Sequence, residues 1–153
     1  MDSIKEVFNK ADVLFQKENY SQSKDVYLSI LDITKDKYDL IKCYIQLAEC
    51  YFHENDFDNA KKYYEMSFEL EPVADNILRL INICFISKDL DNVYKYTTFL
   101  IETTKNLEKK YNNYSSFISY YEEAINILEY LSDSFNYKEA KEYLNGLSKQ
   151  NKL

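Results

Sequence analysis

The stretch YIQLAECYFHENDFDNAKKYYEMSFELEP at residues 44–72 does most to limit how this chain can fold. Leu47, Ala48 and Tyr51 recur at one helical spacing, and Phe57, Ala60, Tyr64 and Leu70 at a second. The spacing predicts two short helices packed on each other, with Ala48 and Ala60 at their closest approach. Such a pair cannot bury its apolar face alone and has to stack on neighbours. Little in the remaining sequence interrupts helix, since 153 residues contain one Gly and one Pro and 46% are apolar. A loop-rich or disordered chain is excluded.

The order of residues in this stretch is a large side chain, Leu with a small residue, then Tyr. An aromatic at the turn, Ala and an aromatic in the second helix, and Pro72 at the exit follow. The stretch resembles a tetratricopeptide repeat, with Ser67 standing where that family usually has a second Ala. The resemblance implies an all-α, right-handed α-solenoid of three to four helix-turn-helix pairs.

Weaker copies flank the first. Upstream, Ala11, Leu14 and Tyr20 are followed by Ser23, Tyr27 and Ile30, and the polar TKDKYD takes up the excess over the usual period. Ser3 and Glu6 form a capping box, so the domain is expected to start close to Met1. Downstream, Leu78, Ile81, Asn82 and Phe85 open a third copy with Asn82 in the small slot, and Leu90, Val93 and Leu100 continue it after a shortened turn. Its apolar stripe runs on through Leu107 and Tyr111, which predicts one long helix ending at NNYSS, residues 112–116. Tyr121, Ala124, Ile125, Leu128 and Leu131, then Tyr137, Ala140, Leu144 and Leu147, make a degenerate capping pair. The reading is one domain over 1–153, with repeats near 3–34, 41–72, 75–112 and 116–148. First helices are expected near 3–17, 37–53, 74–87 and 116–133, and second helices near 20–33, 57–70, 89–112 and 136–148.

The formal charge of −7 narrows the function. An acidic chain with no basic stripe does not suit nucleic acid, and anionic lipid would repel it. No apolar run reaches the length of a membrane span, and no signal pattern opens the chain. Three cysteines give no disulfide framework, so a reduced cytoplasmic setting is expected.

Candidate chemistry is sparse. Cys50 and His53 are spaced i, i+3, and Glu49 and His53 i, i+4, a geometry that can present metal ligands. Against this, Cys50 and Cys84 lie one usual repeat period apart, in one slot of successive copies, where Cys packs as a small hydrophobe. With one His and no Gly-rich loop, the chain lacks the parts for an oxyanion site or a phosphate cradle. No enzyme activity, metal or cofactor is expected.

The resemblance implies a partner-binding groove lined by the free faces of the first helices. By position these carry Lys5, Phe8, Asp12 and Phe15 in copy one, and Lys42, Ile45, Glu49, Phe52 and His53 in copy two. Asn76, Arg79, Leu80, Ile83 and Ile86 follow in copy three, and Glu122, Asn126 and Glu129 in copy four. Ile83 and Ile86 could equally fill a helix seam. Phe8 and Asp12 stand where one subfamily has the Lys and Asn of a carboxylate clamp, which disfavours an anionic terminus. The expected role is a non-enzymatic protein–protein interaction module holding a peptide or helical segment. The alternatives are a structural oligomer that self-associates through the same groove, and a peptide-sensing regulatory domain.

Overall fold

A computed structural model describes residues 3–111 and 114–150. Among the described residues there are eight helices and no strand: α1 Ile4–Gln16, α2 Tyr20–Ile33, α3 Lys37–His53, α4 Phe57–Leu70, α5 Ala74–Ile86, α6 Leu90–Tyr111, α7 Tyr114–Phe135 and α8 Lys138–Gln150. Of the break expected at 112–116, residues 112 and 113 lie outside the described set, and helix resumes at Tyr114.

Local signals set most helix ends. Ser3 and Glu6 close their capping box, Asp36 accepts from the amides of Tyr38 and Asp39, and Asp56 accepts from that of Asn59. The first helix of each pair stops in a left-handed residue, Glu18, Asn55, Lys88 and Asn136, with φ between 51° and 61°. At the first three, the amide just past that residue returns to a carbonyl in the last turn of the helix: Asn19 to Leu14, Asp56 to Tyr51 and Asp89 to Cys84. This Schellman closure normally takes Gly at the left-handed position.

These turn residues fix the register of the copies. The step from Glu18 to Asn55 is longer than the step from Asn55 to Lys88. Two helical turns before each lie Ala11, Ala48 and Ile81, all buried, whereas Asn82 is exposed. The small slot of copy three therefore belongs to Ile81 and not to Asn82. Cys50 and Cys84 likewise sit one position out of step, although both are buried as expected. The two within-pair turns are alike; the residues missing from copy three come from the first turn of α5, which has 13 residues where α3 has 17.

The contacts divide the chain into two compact units, residues 1–83 and 84–153. In the first, α1 packs on α2, α2 on α3 and α3 on α4. Its core joins Phe8, Ala11, Tyr27, Ile30, Cys43, Leu47 and Cys50. Ala48 and Ala60 are both fully buried in the α3–α4 pair. On the outer side of α1, Glu6 and Lys10 are exposed one repeat before the buried Cys43 and Leu47. In the second unit, α6 packs along α7 and α7 on α8. Tyr137 and Tyr143 donate to Asp91 at 2.6 Å and Glu102 at 2.5 Å, tying the α8 end of the chain to α6.

Candidate functional site: the free faces of the first helices

On the first unit, the free faces of α1, α3 and α5 carry a hydrogen-bond relay that repeats. Asp12 of α1 accepts from the hydroxyl of Tyr27 on α2 and from Lys42 Nζ on α3 at 3.1 Å. One copy later, Glu49 of α3 accepts from Tyr64 on α4 at 2.5 Å and from Arg79 Nη1 on α5 at 2.6 Å. The sequence separation from acid to Tyr is the same in both copies, and so is that from acid to cation. The backbone of each Tyr is also used: Cys43 Sγ donates to the carbonyl of Tyr27 at 3.9 Å, and Asn76 Nδ2 to that of Tyr64 at 3.1 Å. Each Tyr thus clamps its own pair and the next first helix together.

Burial and the neighbouring carboxylate push both phenols well above the ordinary tyrosine range, because ionisation would place a second anion beside the first. Glu49 is covered and Asp12 keeps about a third of its side chain in solvent, whereas the side chains of Lys42 and Arg79 remain about half exposed. The accessible charges among the relay and its α1 neighbour Lys5 are therefore mainly cationic, on a chain of net negative charge.

Several expected groove residues sit elsewhere. Phe8, expected to be accessible, is only 5% exposed: the Lys42 ammonium lies 4.3 Å from its ring centre, and the Tyr27 ring packs at 6.4 Å. Glu49, expected on the free face of copy two, is 9% exposed because Tyr64 and Arg79 enclose it. Asn76 is buried by its bond to α4, and Leu80 and Ile83 belong to the core, while Ile86 is exposed. Asp12, Phe15, Ile45 and Phe52 are half-buried, and Lys5, Lys42, His53 and Arg79 are exposed. Glu122, Asn126 and Glu129 are exposed on α7.

His53 is exposed but packs within an aromatic cluster. Its ring stacks on Tyr20 at 4.7 Å and meets Phe15 edge-on at 5.6 Å, while Phe52 packs against Phe57 at 5.5 Å. Burial pushes the thiols of Cys43 and Cys50 up to about 12 and about 11, which suppresses the thiolate that nucleophilic or metal chemistry requires. Among the described residues, no group of three or more His, Cys, Asp or Glu is placed to hold a metal ion. Nor is any described helix long and apolar enough to cross a membrane.

Tyr27 and Tyr64 are the residues that sequence reasoning passed over, treating them as apolar slots. An acid followed by Tyr at one fixed separation, twice at the same offset from the turn, was the available signal.

Two helices joined by a left-handed turn, with Leu47, Ala48, Ala60 and Tyr64 at the seam, fill the strongest copy. Residues 41–73 match the family described as tetratricopeptide repeat. Residues 41–73 form a tetratricopeptide repeat. Among curated proteins none matches its sequence. Among solved structures, the chain is similar to BtubC (BKLC) from P. vanneervenii, with a TM-score of 0.63 and 17% sequence identity. The similarity covers 86% of this chain and 57% of that one, so the chain spans little more than half of that neighbour's length. At that identity the likeness concerns the all-α fold alone. Tetratricopeptide repeats generally mediate protein–protein interaction.

Proposed function

We propose that the free faces of α1, α3 and α5 hold a segment of a partner protein, and that the chain acts as a non-enzymatic interaction module. The observation that carries this reading is the repeated relay. It ties three successive first helices together, and those helices also carry half-buried Ile45 and Phe52 and the accessible ends of Lys42 and Arg79. Apolar area of this kind supplies affinity, and the surrounding charges orient the ligand. The partner's polar groups would meet mainly N–H donors, because Glu49 is covered and Asp12 is shared between Tyr27 and Lys42. The buried thiols and the engaged His53 support the non-enzymatic part of the reading.

Phe52→Ala tests the proposal. Binding of a captured partner should weaken by more than about 1 kcal/mol while the urea midpoint hardly changes. A large fall in stability with affinity per folded molecule preserved would place Phe52 in the core and remove the groove.

A further inference from the structure

A second face of the first unit lies at the edge where second helices hand over to first helices. The salt bridge from Lys37 Nζ to Glu71 Oε2, at 2.8 Å, joins the α2–α3 connection to the α4–α5 connection. Around it stand four large apolar side chains left in solvent: Tyr38 at 71%, Ile33 at 56%, Val73 at 39% and Leu70 at 37% exposed. None of them lies among the groove residues on the free faces of α1, α3 and α5. Apolar groups gathered in this way mark an interaction surface more often than singly scattered ones do.

The charge of the edge identifies what would cover it. Residues 32–39 and 69–75 contain six carboxylates and two lysines. Both α2 and α4 also end here with no basic residue in the last turn, so the negative ends of two helix dipoles are not offset by side chains of their own helices. An anionic lipid surface would be repelled. We propose that this edge docks a segment of a partner protein that combines basic and apolar side chains, such as a basic amphipathic helix. The apolar face of that segment would cover Ile33, Tyr38, Leu70 and Val73, and its cations would lie over the α2 and α4 C-termini.

The test uses the whole chain, isotopically labelled for amide NMR, and two synthetic amphipathic helices of equal length and pattern, one of Leu and Lys and one of Leu and Glu. The Leu/Lys peptide should shift amides around Ile33, Tyr38, Leu70 and Val73. It should bind at least about tenfold more tightly than the Leu/Glu peptide and weaken with added salt. Ile33→Ser with Tyr38→Ser, and separately Asp32→Lys with Glu69→Lys, should each lower that affinity about tenfold while the spectrum stays that of the folded chain. All four side chains changed are exposed, so the fold tolerates them. Equal binding of the two peptides, shifts centred on Ile45 and Phe52, or no shift at the edge would overturn the proposal. So would edge shifts that grow with protein concentration in the absence of peptide, since a second copy would then be the occupant.

Discussion

Tyr64 donates its phenolic hydrogen to the carboxylate of Glu49 at 2.5 Å, and Tyr27 donates to Asp12 in the same way one copy earlier. A carboxylate as covered as Glu49 depends on such donors, because a buried charge that loses a partner retains its full desolvation cost. Tyr64→Phe keeps the ring and removes only the donor. It should lower stability by about 1.5–3 kcal/mol, and Tyr27→Phe by less, since Asp12 is better solvated. Urea denaturation of both variants beside the parent measures the difference; equal, negligible losses would mean that water replaces the phenol.

Glu18 adopts φ 61° at the first turn, with its side chain in solvent. A left-handed backbone costs a residue with a Cβ roughly 1–2 kcal/mol, partly offset by the smaller chain entropy it loses relative to Gly. Glu18→Gly should therefore raise stability by up to about 1 kcal/mol. A lower melting temperature would show that the Glu18 side chain contributes a contact of its own.

Alkaline pH should loosen the first unit. The folded-state pKa values of Cys43 and Cys50 rise from 9.0 to about 12 and about 11, and those of Tyr27 and Tyr64 rise above 10.0. Raised values mean that the fold favours the protonated, neutral forms. Their contribution is fully present below the unfolded pKa and is lost as pH climbs through the folded one. The denaturation midpoint should be flat from neutrality to about pH 8.5 and fall from about pH 9 upward. Thiol labelling of the native chain should be slow throughout the flat region. Rapid labelling at neutral pH would contradict the burial of the cysteines.

Ala48 and Ala60 leave no room at the α3–α4 seam. Ala48→Leu should cost roughly 1–3 kcal/mol by overpacking. An unchanged melting curve would mean that the two helices can slide apart at little cost.

The helix framework was largely legible because its signals are local. The expected spans 20–33, 37–53 and 57–70 match α2, α3 and α4, each of which has apolar periodicity bounded by polar residues. The register of copy three was not legible, since its marker is a left-handed Lys88, and nothing about a lysine in sequence announces positive φ. The character of the groove was hidden for a different reason. Asp12 and Glu49 read as surface charges until the cations of the next copy are brought onto them, and Phe8 reads as an open aromatic until Lys42 covers it. Such pairings depend on how neighbouring copies stack, which helical periodicity within one copy does not record.

The relay of paired copies also has a stop. At one fixed offset after the turn residue the first two copies place Tyr27 and Tyr64, but after Lys88 the corresponding residue is Thr97. Its hydroxyl donates at 2.7 Å to Val93 in its own helix, and the acid position of that copy is the exposed Asn82. A side chain bonded within its own turn has no hydroxyl proton left for a neighbour. The chemistry of one position thereby counts how many regular units can be joined in series.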